Sequence, residues 1–423
     1  MPEQTSSQPA LVTRRAFLAA TAVTATAATA ACQADTQPSG AEAEGTPGSS
    51  GAQGILGTAT VAFDDVHQAG IATPPQAHCE ILGLNLRAGV DRAAATRLLR
   101  LWTEDARELT QGRNPVGSLE PEMVSTPANL TVTCGVGQRF FSIIGKQEER
   151  PEWLADLPEF SLDQLSAEYG QTDLMLQICG DDPLYVAFAS RHMVRSGVSY
   201  AQVAWVQQGF LNANGVLEPG QTPRNLFGQK DGTVNPRSDR EFDEQVWIAE
   251  EGPQWLRGGT AMVLRRIAMN LDTWEMLDRA SRENAVGRTL DTGAPLGGSD
   301  EFDQANFDAR DEHGLPVIDP RSHMALAAPP GDQPEQRMRR RAYNYFQPPV
   351  PGSEQLSNAG LLFACFQKDP RTSFIPIQRR LDQSDRLNEW ITHVGSAVYA
   401  IFPGVGQAQG QDGFWGQRLL EGA

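Results

Sequence analysis

Basic side chains, paired cysteines and long apolar runs are all scarce in this 423-residue chain, and each scarcity removes a class of function. Lys and Arg number 35 against 52 Asp and Glu, a formal net charge of −17. A nucleic-acid partner needs a basic face, which this balance does not supply. Self-repulsion of that size instead keeps a protein dispersed. The five cysteines, Cys32, Cys79, Cys134, Cys179 and Cys365, are scattered with no Cys-x-x-Cys pair. Zinc and iron–sulfur binding therefore have no support, and no disulfide framework is called for. Cys134 and Cys365 lie in apolar, strand-like runs and read as buried thiols. The apolar, Ala/Thr-rich run from Ala19 to Ala31 is too short for a membrane span.

That run follows Thr13-Arg14-Arg15-Ala16-Phe17-Leu18, a twin-arginine export signature. Residues 1–32 are accordingly expected to be a signal peptide, placing the mature protein outside the cell, in a periplasm or in the cell envelope. Cys32 after Thr29-Ala30-Ala31 is a candidate lipid-modified N-terminus, although Thr29 stands where such sites usually have Leu. Residues 33–57, mostly Gly, Ser, Pro, Ala and Glu, bury little and predict a flexible tether. The remaining length suits two domains, 58–215 and 216–423, divided in the Gly/Asn/Pro-rich stretch Leu211 to Thr222.

Alternation and helical spacing give the first half a β-α-β-β-α-β rhythm. Ile81–Leu86, Leu130–Gly137 and Asp173–Gly180 read as strands, and Arg92–Leu109 as a helix. A second helix runs from Tyr185 to Val194, with Asp182 and Pro183 suited to its cap and first turn. Gly258–Ile267 and Leu361–Pro370 predict strands of a second such unit, with a helix over Leu271–Arg282. The rhythm predicts ferredoxin-like α+β units.

Chemistry concentrates in Asn225-Leu-Phe-Gly-Gln-Lys-Asp-Gly-Thr-Val-Asn235-Pro236. Gly228 and Gly232 permit backbone conformations closed to other residues, and Asp231 is the lone acid between them. By itself, Asp231-Gly232 needs no more than a tight turn. Further along stand Ser322-His323-Met324-Ala325-Leu326-Ala327-Ala328-Pro329 and Arg339-Arg340-Arg341-Ala342-Tyr343-Asn344-Tyr345. With His67-Gln-Ala-Gly-Ile-Ala-Thr-Pro74, these strings resemble the dye-decolorising peroxidases, a heme family with a Gly-x-x-Asp-Gly motif, a ligating His and an Arg-Arg-Gly-Tyr-Ser-Tyr-like string. The resemblance runs from about Thr58 to Leu420 and is strongest for the exported subgroup that includes the deferrochelatase/peroxidases.

What the resemblance implies is a pair of ferredoxin-like domains of the dimeric α+β barrel type. Their sheets are antiparallel, and heme b is held mainly by the C-terminal domain. It implies a peroxidase that reduces hydrogen peroxide and oxidises phenolic or dye-like donors. A deferrochelatase within an iron-uptake system, and a ferredoxin-like module without heme, are the competing readings, and a homodimer is compatible with each. His323 is the implied iron ligand, 17 residues before Arg340. His313 and His393 compete with it, while His67 and His192 read as structural. Asp231 and Arg340 are the implied acid–base residue and cation, with Arg341 as the alternate cation. Gly232, Thr233, Val234, Ala328, Pro329 and Pro330 line the cofactor. Asp385 accepts the imidazole N–H, with Asp382 and Glu389 close enough in sequence to be confused with it. Two arginines that the family offers to heme propionates are missing after His323, and Arg237, Arg266 and Arg288 are the substitutes. Tyr345, Trp390 and Trp415 are candidates for surface oxidation of bulky donors.

Overall fold

The computed structural model describes residues 57–406 and 411–422. The expected signal peptide, Cys32 and nearly all of the tether lie outside the described residues. In the first half, chain order is β1 (His78–Leu86), α1 (Arg92–Thr110), β2 (Thr131–Val136) and α2 (Gln138–Ile143). Then come β3 (Leu174–Gly180), α3 (Pro183–Gly197) and β4 (Ala201–Phe210). The second half begins with α4 (Asp239–Gln245), β5 (Thr260–Met269), α5 (Leu271–Trp274), α6 (Arg279–Val286) and α7 (His323–Ala327). It ends with β6 (Arg339–Arg340), β7 (Tyr343–Gln347), β8 (Asn358–Gln367), α8 (Phe374–Ser384), β9 (Ile391–Ile401) and α9 (Gln417–Glu421).

Local chemistry explains why these segments start where they do. Asp91 Oδ1 accepts from Ala94 N at 2.8 Å to open α1, and Asp182 with Pro183 opens α3. The apolar stripe of α1, with Leu98, Leu99 and Trp102 fully buried, packs on the sheet. Each such side chain contributes about 1.5–3 kcal/mol on burial. The helix expected over Leu271–Arg282 is instead two pieces. Trp274 turns inward and its indole donates to Phe227 O at 3.2 Å. Asp278 then caps a fresh helix by accepting from Ser281 N, and this side-chain bond competes with helix continuation.

In the first half the strand order is β4-β1-β3-β2, and in the second β9-β5-β8-β7. These are the same order for a β-α-β-β-α-β unit, so the two halves are alike in topology as the rhythm predicted. Every ladder is antiparallel. Short seams join the halves: Gly135 and Val136 pair with Ile401 and Ala400, and Phe210 pairs with Asn344. Because β5 also pairs with β8, the sheet closes into a barrel. Alternation then sorts the side chains. Cys79, Ile81, Met175, Cys179, Met262, Leu264, Tyr343, Leu362 and Tyr399 meet inside. Leu82, Leu84, Leu176 and Ile178 face α1 and α3. A third cluster, with Phe227, Ile267, Trp274, Leu361 and Leu387, lies beneath the loops of the second half.

Candidate active site

Both glycines of the Asn225–Pro236 loop use the conformations that only glycine adopts easily, with φ of 80° at Gly228 and 122° at Gly232. A turn closes earlier in the loop, where Gly228 N donates to Asn225 O at 2.9 Å, whereas Asp231 N donates back to Pro223 O at 2.9 Å. The loop does more than turn. Asn235 reaches β6, where its Nδ2 donates to Arg340 O at 2.8 Å and its Oδ1 accepts from Arg340 N at 2.9 Å. One side-chain amide thus completes the backbone hydrogen bonding at the open edge of a two-residue strand. That clamp brings Arg340 Nη1 within 3.5 Å of Asp231 Oδ1. Asn225 Nδ2 lies 3.5 Å from the other Asp231 oxygen. A recess of about 10 Å³, room for one water-sized molecule, opens beside Asp231 between Pro223, Asn225, Ala342 and Leu361.

His323 opens α7, whose cap is the fully buried Ser322. Gly287 sits so close to that cap that a Cβ there would meet Ser322 Oγ at 2.9 Å. The imidazole Nδ1 lies 2.6 Å from Asp385 Oδ2. Asp385 is itself fixed, because its Oδ1 accepts from Leu387 N at 3.0 Å. Burial disfavours the His323 imidazolium, but the Asp385 charge and hydrogen bond more than offset it, so the ring titrates above its usual range. Arg340 lowers and Asp231 raises the same titration, so all four groups belong to one site.

The alternatives separate cleanly. Arg341 points into the barrel, bonded to Thr73 O and Gln76 Oε1, because adjacent strand residues face opposite ways. Asp382 binds Ser161, and Glu389 is exposed. His313 is exposed beside Glu312, and His393 is buried beside Gln378. His67 stacks on Trp247 with ring centres 3.9 Å apart, and His192 pairs with Asp105 at 3.1 Å.

Of the residues expected to line a cofactor, Thr233 is buried, with Oγ1 donating to Glu301 Oε1 at 2.9 Å, while Val234 is 69% exposed. Ala328, Pro329 and Pro330 are half-buried at the end of α7, where Arg380 donates to Ala328 O at 3.3 Å. Among the substitute cations, Arg266 must be withdrawn. It lies inside the barrel, bonded to Gln207 and Gln347 and stacked 3.7 Å above the Tyr345 ring. Arg288 is held by Gly293 O and Glu301 O at 2.7 and 2.9 Å; burial pulls its titration down, Glu301 pushes it up and the Arg340 charge pulls it down. Arg237 binds Thr233 O at 3.2 Å and stacks on Phe302. Two of the surface-oxidation candidates also fail: Tyr345 is sealed in the barrel and Trp415 packs under α1 against Phe63. Trp390 is half-buried against Trp274. Sequence reasoning quoted Asn235 without assigning it and missed Glu301 and Arg380. Asn235 was the most accessible of these, two residues beyond the Asp-Gly-Thr string.

Residues 222–406 match the Dyp-type peroxidase C-terminal family and residues 68–211 the Dyp-type peroxidase N-terminal family. A dye-decolorizing peroxidase from Thermobifida fusca is 39% identical over 370 residues, 84% of each chain. A deferrochelatase from Escherichia coli is 32% identical over 375 residues, 85% of this chain and 86% of that one. A crystal structure of a DyP-type peroxidase from Cellulomonas bogoriensis superposes with a TM-score of 0.82 at 45% identity. That match covers 87% of this chain and 99% of the other. A Rhodococcus jostii relative solved in complex with heme shares the fold alone, at 22% identity and a TM-score of 0.60 over 79% of this chain and 95% of that one. Two family matches that cover both halves of the barrel, and relatives aligned across most of the chain, make this protein a member of the DyP-type peroxidase family.

Proposed function

We propose that this peroxidase works with heme b, held through His323 Nε2. The observation that carries the reading is the arrangement of two polar pairs. His323 is braced by Asp385 at 2.6 Å, and the Asp231–Arg340 pair, 3.5 Å across, acts on the same imidazole. With Nδ1 committed to Asp385, Nε2 is the ring atom left to bind iron. Among the described residues no group of three or more His, Cys, Asp or Glu is placed to hold a metal ion. One braced imidazole therefore suits a group that brings its other donors with it. When bound, heme supplies the iron that takes up peroxide and the electrons that cleave its O–O bond.

The protein's own part is proton and charge management. Asp231 takes the proton from the near peroxide oxygen and returns it to the departing one, which leaves as water. Arg340, always charged, stabilises the negative charge that builds on the departing oxygen. Asp385 polarises the His323 N–H and makes the opposite ring nitrogen a stronger donor. Arg237 and Arg288 are the basic residues nearest the Thr233–Glu301 wall and the proposed partners of the heme carboxylates. The site is too confined for bulky donors, so phenolic or dye-like compounds give up electrons at the surface, with Trp390 the remaining candidate.

The decisive experiment is stopped-flow reaction of the heme-loaded protein with hydrogen peroxide. Asp231→Asn is expected to slow it by roughly 10²–10⁴-fold, the usual worth of a positioned acid–base group. Arg340→Leu is expected to slow it at least as much. Rates near wild type in both variants would sink the assignment. Iron removal from heme, the activity named for the deferrochelatase relatives, is the second reading. An acid and a cation side by side in the site favour peroxide cleavage, since a carrier needs neither. Export through the twin-arginine signal belongs to the same proposal, and an Arg14→Lys/Arg15→Lys variant secreted normally would count against it. Lipid attachment at Cys32 is a separate question that the intact mass of the mature form settles, and service in iron uptake goes with the second reading.

A further inference from the structure

Cys79 of β1 and Cys179 of β3 stand directly opposite each other inside the barrel, both essentially inaccessible to solvent. Their backbone groups point apart. Ala77 O accepts from Leu211 N beside β4, and Asp173 O accepts from Gly137 N at the end of β2. By alternation Cys79 then faces β4 and Cys179 faces β2, so the two form a non-hydrogen-bonded pair. In such pairs the Cα atoms lie about 4.5 Å apart, inside the roughly 4.4–6.8 Å span that a disulfide accepts. The two side chains lie on the same, inner face of the barrel, each affecting the other's titration.

The pair is not set in plain hydrocarbon. The Arg341 guanidinium and the Tyr343 hydroxyl both approach the Cys179 sulfur. The Tyr343 hydroxyl is buried without a hydrogen-bond partner, close enough to Cys179 to affect its titration. Desolvation pushes Cys179 up, but the Cys79 thiol, the Arg341 charge and the Tyr343 hydroxyl outweigh it and bring the thiol down to about 7. Desolvation and the Cys179 contact push Cys79 well up. Burial raises both Cys134 and Cys365, and at Cys365 the Val263 backbone and the Arg340 and Arg265 charges do not offset it. Arg341 and Tyr343 stand one and three residues after Arg340, so the thiols sit behind the same short segment that presents the cation to Asp231.

We propose that Cys79 and Cys179 are an internal two-electron donor, a dithiol that closes to a cross-strand disulfide when hydrogen peroxide is reduced at the Asp231–Arg340 site and no outside donor is at hand. The two thiols give up two protons and two electrons and form one S–S bond. Hydrogen peroxide takes up both, its O–O bond breaks, and two waters leave. The thiols are sealed from solvent, so the electrons travel through the protein by way of Tyr343 and the Arg340–Arg341 backbone. The oxidant is the enzyme's own substrate class. The consequence is a barrel that absorbs oxidising equivalents which would otherwise damage the site.

The test uses the full chain loaded with heme, reduced, desalted without oxygen and given one equivalent of hydrogen peroxide. Alkylation under denaturing conditions and non-reducing peptide mapping then follow. The expected result is a peptide linked through Cys79 and Cys179, with Cys134 and Cys365 still fully alkylated. A phenol added in excess before the peroxide should suppress that link, and heme-free protein should not form it. Unchanged alkylation of Cys79 and Cys179, or equal linkage in the heme-free protein, would overturn the proposal. So would a link already complete in the purified protein that reductant cannot open. None of these readouts needs a variant that folds, and a Soret band recorded beforehand separates failure of this idea from failure of heme binding.

Discussion

A single carboxylate decides how His323 and His393 differ. His323 has Asp385 on its Nδ1, whereas His393 is buried with only Gln378 near its Nε2 and with no partner for its Nδ1. Burial, then the charges of Arg265 and His323, push His393 down to about 3. A base whose folded pKa is depressed leaves stability intact above its unfolded value, about 6.5, and costs stability as pH falls below it. Between about pH 6.5 and 3 the cost grows by about 1.4 kcal/mol per pH unit, because only the unfolded chain takes the proton. His393→Gln is expected to flatten the pH dependence of urea unfolding between pH 6 and 4 by up to that slope. An unchanged slope would show that His393 is protonated in the fold. Asp231, His323 and Arg340 were legible in the sequence as candidates because few other residues offer their chemistry and the strings around them are distinctive. Where Arg266 and Tyr345 point was not legible. Both alternate inward only once β5 and β7 are fixed in a barrel whose closure depends on distant pairings.

Among the elements, β6 is the weakest and the most consequential. It has two residues, pairs only with Phe366 and Cys365 of β8, and has no strand along its other side among the described residues. Asn235 supplies what a neighbouring strand would have given. Asn235→Ala removes both hydrogen bonds and leaves a partly buried N–H and C=O unpaired, at a cost of about 2–3 kcal/mol. Arg340 would then drift from Asp231, and a displacement near 1 Å is worth roughly 10²-fold in rate. The expected outcome is a slower peroxide reaction with an unchanged Soret band. A peroxide rate equal to wild type would show that β6 holds its place without the clamp. The regular elements α1, β1, β3 and α3 were readable because period and caps agreed. The break at 275–278 was not, because an inward-turning Trp274 and a new cap at Asp278 override a continuous apolar period.

At the scale of the molecule, two like units close into one barrel, and chemistry lies on the outer side of the second unit's strands. The inside of the barrel is left to Arg266, Tyr343, Tyr345 and the cysteine pair. The duplicated rhythm was visible in the sequence, but the seams were not, because Gly135, Val136 and Phe210 carry no mark of their partners. All of this serves one arrangement, an imidazole braced by Asp385 and an Asp231–Arg340 pair, for which we propose heme as the partner. The absorption spectrum of the heme-reconstituted protein, beside that of His323→Ala, tests it most directly. The account predicts a Soret band of five-coordinate histidine type in the wild type and loss of that band, with most of the heme, in the variant. A wild-type histidine-ligated spectrum retained by His323→Ala, or no Soret band in either protein, would contradict it.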